Sequence, residues 1–327
     1  MKYTSTREDK ELLNFKQVTL KGLASDGGLY VPEYWKQPNL KFSNTDSTFE
    51  KTAYKIIKYF VGKSLDNQLL KKLINRSYKS FRNKEITTLE KLDKNNYILE
   101  LYHGPTLAFK DIALQFLGNA FEVFLKKDKK KLTIIGATSG DTGSAAIDAV
   151  KNNKFSDIFI LHPYNRVSDF QRKQMTTINS NNVFNIALKG TFDDCQDIIK
   201  KLFVDNELNQ RVNLGSINSI NWTRIMAQIT YYIYAYNKVK KETGSSNISF
   251  SIPTGNFGDA YAGYIAKEKF NIPIKKLIVA TNKNNILDRF FRTGTYKKDK
   301  VFTTISPSMD IQIASNFERL LYDITYE

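Results

Sequence analysis

Sulfur and imidazole are scarce in this chain: 327 residues carry one cysteine, Cys195, and two histidines, His103 and His162. A lone cysteine excludes a disulfide framework and a cysteine-based metal site. Two histidines far apart in sequence make no cluster, so no metal site is expected; both, like Cys195, read as structural. Also absent is an apolar run of about 18 residues, the length that a membrane-spanning helix needs. The opening Met1-Lys2-Tyr3-Thr4-Ser5-Thr6-Arg7-Glu8-Asp9-Lys10 has no apolar core. No secretory signal is read there, and the expected location is the cytoplasm, with no membrane partner. Negative charge is in short supply, with 33 Asp and Glu against 49 Lys and Arg, a formal net charge of +16. The densest basic run, Lys126-Lys127-Asp128-Lys129-Lys130-Lys131, falls between a helical pattern and an apolar strand, where a solvated connection is expected. Asn, Ile and Tyr are abundant as well, so the charge reads as a general bias that attracts anionic metabolites, not as a nucleic-acid surface.

What is present is ordinary globular material, 41% hydrophobic and 25% charged. The length exceeds what one core usually fills, so two lobes are expected. Apolar runs at 132–137, 157–161, 183–188, 248–252 and 276–280 alternate with helical patterns at 144–150, 194–203, 217–236 and 260–267. Strands alternating with helices through short loops predict parallel sheets and an α/β architecture. Residues 40–90 look mostly helical and lysine-rich.

Three places carry chemistry. The first is Lys110, at the end of Tyr102-His103-Gly104-Pro105-Thr106-Leu107-Ala108-Phe109-Lys110-Asp111 and at the mouth of a helix over 111–125. Ile112, Phe116, Ala120 and Phe124 form one apolar row of that helix, and Ala113, Leu117 and Phe121 the adjacent one, so it is expected to be buried. Asp111 in the first turn complements the helix dipole. The same dipole and desolvation favour the neutral, nucleophilic form of Lys110, the form that makes Schiff bases; by itself the residue reads better as one surface lysine among many. The second place is the loop Gly255-Asn256-Phe257-Gly258-Asp259, between a strand and a helix, where glycines and free helix-start amides suit a phosphate. Its spacing is neither a dinucleotide fingerprint nor a P-loop. The third is Ala137-Thr138-Ser139-Gly140-Asp141-Thr142-Gly143-Ser144, whose hydroxyls and amides suit a carboxylate or phosphate. Its alternative reading is a helix cap made by Asp141 or Thr142. A lysine with two anion-binding loops in an α/β chain suggests pyridoxal phosphate held by one loop and a substrate carboxylate held by the other.

These motifs, taken in order, resemble those of the threonine synthase family from end to end. The N-terminal Tyr3-Thr4-Ser5-Thr6-Arg7 and Gly22-Leu23-Ala24-Ser25-Asp26-Gly27-Gly28-Leu29-Tyr30-Val31-Pro32 belong to the match. So do Gly190-Thr191-Phe192-Asp193-Asp194-Cys195-Gln196-Asp197, Asn218-Ser219-Ile220-Asn221-Trp222 and Asp288-Arg289-Phe290-Phe291-Arg292-Thr293-Gly294. The resemblance implies a fold type II pyridoxal-phosphate enzyme with an N-terminal region over 1–95 and a catalytic region over 96–327. The smaller lobe would lie at about 125–235 and the larger in the flanking segments. It implies conversion of O-phospho-L-homoserine and water to L-threonine and phosphate, with Lys110 as the catalytic, cofactor-bearing lysine. Gly255, Asn256, Phe257, Gly258 and Asp259 would hold the cofactor phosphate. Ser139, Asp141, Thr142 and Gly143 would face the substrate, with Arg166, Asn218 and Arg224 as candidates for its phosphate. A monomer or homodimer is expected. The family runs on by roughly another hundred residues, so a shortened C-terminus, lacking the residue that faces the cofactor's pyridine nitrogen, is part of the expectation. A serine/threonine dehydratase, a cysteine synthase, or an inactive fragment of the synthase are the alternatives.

Overall fold

Short caps and aromatic contacts organise the N-terminal part. The computed structural model describes residues 1–38, 40 and 48–325. Strand β1 (Tyr3–Ser5) pairs antiparallel with β2 (Tyr30–Pro32), and α1 (Phe15–Lys21) lies between them in sequence. Helix α1 starts on a reciprocal box in which Asn14 accepts from Gln17 N and Gln17 accepts from Asn14 N. Helices α2 (Phe49–Val61) and α3 (Asn67–Tyr78) start on Thr48 and Asp66. The apolar face of α2, with Phe49, Ala53, Ile56 and Phe60, packs into the main core. The helical expectation for 40–90 is met by these two helices, while 41–47 lie outside the described residues. After Tyr78 the chain departs from it, running through turns to β3 (Thr88–Lys91), which pairs antiparallel with β4 (Tyr97–Glu100).

Helix α4 (Lys110–Asp128) is the shared wall of the molecule. Its row Ile112, Phe116, Ala120 and Phe124 belongs to the main core around Trp222. Leu114, Leu117, Phe121 and Leu125 belong to a second core, beneath a parallel sheet. That sheet comes from β5 (Leu132–Ala137), α5 (Asp141–Val150), β6 (Ser156–Pro163), α6 (Asp169–Thr176), β7 (Val183–Leu188), α7 (Phe192–Val204), α8 (Asn206–Val212) and β8 (Leu214–Gly215). Its strand order is β7-β6-β5-β8, every pair parallel. This is the alternation expected of βαβ units.

Helix α9 (Trp222–Thr243) returns through the main core. It starts five residues later than its hydrophobic pattern, because the Asn221 side chain accepts from Thr223 N and caps it there. Strands β9 (Ile248–Pro253) and β10 (Ile274–Ala280) form a second, two-stranded parallel sheet. Between them α10 (Gly258–Tyr264) loosens into a π-turn over Ile265–Lys269, where an unbroken α-helix to residue 267 was expected. The chain continues through α11 (Ile286–Thr293) and a 3₁₀ turn, Pro307–Met309, to α12 (Phe317–Thr325), which docks on the main core. The fold is therefore α/β, with parallel sheets flanked by helices and a largely helical N-terminal extension.

Candidate functional site

Lys110 is the first residue of α4, and its neighbour fixes the turn that delivers it. Asp111 has no exposed surface and accepts from Thr106 N at 2.9 Å and Thr106 Oγ1 at 2.7 Å. A Cβ at Gly104 would lie 2.4 Å from the Asp111 side chain, so the turn closes only on glycine. Burial pushes the Asp111 carboxyl up to about 6, against the pull of its bonds to Thr106. Asp111 is thus more than a dipole partner: it ties the run before Lys110 into a rigid loop. Gln174 of α6 donates to Thr106 O at 2.9 Å and braces that loop from the sheet side.

Lys110 Nζ donates to Asp141 Oδ2 at 2.6 Å, with both side chains largely buried. The sequence reading placed Lys110 under dipole and desolvation alone; the structure adds a counter-charge. Burial favours a neutral Asp141, but the Lys110 ammonium and the hydrogen bonds from Lys110 and Ser308 outweigh it and hold the carboxyl below its usual range. Ser308 Oγ donates to the same oxygen, Oδ2, at 2.8 Å. The other oxygen, Oδ1, is buried without a partner among the described residues.

Asp141 opens α5, whose cap position is Gly140, with φ +143°. No side chain of Asp141 or Thr142 caps the helix there. Thr138 takes that work instead, accepting from Gly140 N at 2.9 Å and Gly143 N at 2.8 Å. Ser139 and Thr142 are half-buried at the loop surface, and Gly143 is packed against Thr138 and Met175. Gln171 of α6 lies over Gly140, where a Cβ would meet its Oε1 at 1.9 Å.

Opposite stands the loop 254–259. Thr254 donates to the Asp259 carboxylate, which also accepts from Ala260 N, so Asp259 is turned into its own helix start. Burial raises its pKa, and Lys110 is close enough to pull in the other direction. Phe257 sits at φ +63° with its ring against Phe317, at 5.4 Å between centroids, which presents the neighbouring amides at the mouth of α10. A Cβ on Gly255 would lie 3.0 Å from Ile311 Cδ1 and 3.1 Å from Ser308 O. The glycine expected to admit a ligand thus also admits the chain's own 308–311 segment.

Arg224 is buried, donates to Ile217 O at 3.3 Å, and keeps its Nε unpartnered among the described residues. Burial lowers it to about 10, with Asp141 and Asp259 acting the other way. Asn218 lies at the end of β5, its Oδ1 3.5 Å from the position a Cβ on Gly136 would take. Arg166 is exposed in the loop after β6, where its charge acts on Asp194; among the described residues no contact ties it to Lys110. His103 bonds Thr88 and Glu100 on the β3–β4 hairpin, and Cys195 is free and buried under the sheet. Thr106, Thr138 and Ser308 were not singled out from sequence. Thr138 stood in a hydroxyl-rich loop; Ser308 is 167 residues from its partner and gave no signal.

The comparisons with known proteins follow the same outline. Residues 2–78 match the family described as threonine synthase N terminus, and residues 82–326 match the pyridoxal-phosphate dependent enzymes. The chain is 47% identical to threonine synthase of Pseudomonas aeruginosa, over 99% of this chain and 69% of that protein. It is 46% identical to threonine synthase of Saccharomyces cerevisiae, over 99% of this chain and 66% of that one. The solved structure of pyridoxal-phosphate-bound threonine synthase from Brucella melitensis superimposes with a TM-score of 0.90 at 43% identity, covering 99% of this chain and 69% of that chain. Fold and site thus define a pyridoxal-phosphate-binding α/β protein with a lysine at the mouth of a helix. Within that class, the chain belongs to the threonine synthase family. It spans about two thirds of the length of the curated relatives it matches.

Proposed function

We propose that the chain performs the threonine synthase reaction, converting O-phospho-L-homoserine and water to L-threonine and phosphate. The observation that carries this reading is the buried contact of Lys110 Nζ with Asp141 Oδ2 in a chain so similar to curated threonine synthases. The site residues fit pyridoxal phosphate. A primary amine stands beside a buried acceptor with a spare oxygen, Asp141 Oδ1, and across from the helix-start amides of the 255–259 loop. Bound there, the cofactor supplies an electron sink for charge left on the substrate carbon skeleton.

The protein's own groups supply the rest. Lys110 is the residue that would hold the cofactor, and with its amine free it would move protons at the substrate's Cα and Cβ from the mouth of α4. Asp141 orients that nitrogen. Amides at Gly255, Asn256, Phe257 and Gly258 take the cofactor phosphate, while Asp259 stiffens the loop through Thr254. Ser139, Thr142 and Gly143 take the substrate carboxylate at the start of α5. Arg224, whose Nε is buried without a partner among the described residues, is the proposed donor to the leaving phosphate, with Asn218 beside β5 as a second. Arg166 is the outermost candidate of this set. The division into a 1–95 region and a catalytic region with a smaller lobe at about 125–235 is part of the proposal, as are a cytoplasmic location and a monomeric or homodimeric state.

The test is phosphate release from O-phospho-L-homoserine, with threonine as the matching product, by the purified chain reconstituted with pyridoxal phosphate. Lys110→Ala is expected to lose the protein-bound visible absorption and at least about 10³-fold in turnover. Ammonia release from serine or threonine, with no phosphate released from O-phospho-L-homoserine, would move the reading to a dehydratase, and a wild-type chain that takes up no cofactor would end it.

A further inference from the structure

The 3₁₀ turn Pro307–Met309 reaches across the site to Asp141, and nothing in the reading above uses it. Asp141 Oδ2 accepts two hydrogen bonds, from Lys110 Nζ at 2.6 Å and from Ser308 Oγ at 2.8 Å. We propose that Ser308 is a positioning residue of this site, holding the Asp141 carboxylate in place while the Lys110 nitrogen is covalently engaged. The inference rests on the cofactor role assigned to Lys110 in the preceding reading.

An ammonium group has three protons to offer, whereas a lysine nitrogen joined to a carbonyl carbon keeps at most one. A largely buried carboxylate whose main partner is withdrawn loses compensation for its desolvation and drifts toward protonation or a new rotamer. Ser308 is the donor that does not leave. Its seat is made independently of Asp141. Asp310 Oδ1 accepts from Thr304 Oγ1 at 2.7 Å, Asn282 Nδ2 at 2.8 Å and Asn284 Nδ2 at 3.0 Å, and Oδ2 accepts from Thr304 N at 2.9 Å. Asn282 also bonds Ser306 Oγ at 2.9 Å. This network ties the segment to the loop after β10. On the inner side, Gly255 lets Ser308 O and Met309 Cα come within 3.1 and 3.2 Å of the place a Cβ would occupy. The hydroxyl is thus presented by a braced turn. Ser308 and Lys110 share Oδ2, while Oδ1 has no hydrogen-bond partner among the described residues.

The experiment compares wild type, Ser308→Ala and Ser308→Thr in the full chain. The first readout is the midpoint of the Asp141 carboxyl titration by carbon-13 NMR without cofactor, assigned through Asp141→Asn. Ser308→Ala is expected to raise that midpoint and Ser308→Thr to leave it near wild type. The second readout, with pyridoxal phosphate bound, is kcat and KM for phosphate release against pH. Ser308→Ala is expected to lower kcat about tenfold with KM changed less than about twofold, and to move the acid limb upward; Ser308→Thr restores both. An unmoved Asp141 midpoint in Ser308→Ala overturns the proposal, and so does a rise in KM with kcat intact. If the wild-type chain releases no phosphate, the functional reading fails, while the carboxyl titration still decides whether Ser308 holds Asp141.

Discussion

At Asp111 a carboxylate with no exposed surface is held by two donors from Thr106, with the charge of Asp148 working against it. Burial dominates, and the folded value lies at about 6. In the unfolded chain an aspartate titrates near 3.9, so between about pH 4 and 6 the folded protein binds the extra proton. A group raised in this way stabilises the fold most when protonated, and stability falls as pH climbs through that window. The full shift corresponds to about 3 kcal/mol at most. Urea unfolding of wild type and Asp111→Asn at pH 4.5 and pH 7 isolates it. The amide turns an NH₂ toward a Thr106 donor and weakens the fold at both pH values, a constant that cancels in the difference. Wild type is expected to lose more stability over the interval than the variant; equal pH dependence would rule out Asp111 as the titrating group. The residue matters for function because the same two bonds set the turn that delivers Lys110.

Where α4 crosses α5, Gly118 lets the backbones meet: a Cβ there would lie 2.3 Å from Ala149 O and 2.8 Å from Ala149 C. In an exposed helix, Gly→Ala gains about 0.5–1 kcal/mol from propensity. Here the obstacle is backbone, which cannot rotate aside, and overpacking of about 1–3 kcal/mol outweighs that gain. Gly118→Ala is therefore expected to lower the denaturant midpoint with an unchanged slope, and a higher midpoint would show that the helices separate freely. The two apolar rows of α4 were visible as residue spacing, as were β5 and β7 with their full bounds, because a buried stripe or run is a local pattern. Element ends were less visible. Asn221 stops the α9 pattern short of Ile217, and the change to π geometry at Ile265 leaves no mark in hydrophobic spacing. The site divides in the same way. Lys110 and the two loops stand at strand-to-helix or helix-start positions that sequence can locate. Asp141 as the counter-charge of Lys110, and Ser308 as the second donor to it, depend on segments that meet only when the sheets and the C-terminal part assemble.

Across the whole molecule, the last described helix is bolted to the first strands. Arg319 is fully buried and donates to Tyr30 O at 3.0 Å, Ile220 O at 2.6 Å and Asn316 Oδ1, with its guanidinium 5.6 Å from the Trp222 ring. Burial lowers it to about 10, which leaves it charged at neutral pH. Near it, Glu318 accepts from Arg7 and Thr6, and Asp323 accepts from Tyr261 at 2.7 Å and Trp35 at 3.4 Å. The two kinds of tie differ in weight. Arg7–Glu318 is half-exposed, and such pairs contribute up to about 1 kcal/mol. Replacing Arg319 with leucine removes the donor from two buried oxygens and one part-buried one, each costing up to about 1–3 kcal/mol, partly offset because the leucine buries no charge. Arg319→Leu is therefore expected to destabilise the protein by about 3–5 kcal/mol, and Arg7→Ala by less than about 1. Since these contacts join both ends of the chain to Trp222 and Trp35, tryptophan fluorescence and far-ultraviolet ellipticity should report one coincident transition in each variant. If Arg319→Leu shifts the midpoint no more than Arg7→Ala, or if the two signals separate in wild type, the N-terminal strands and α12 do not fold as one unit with the core.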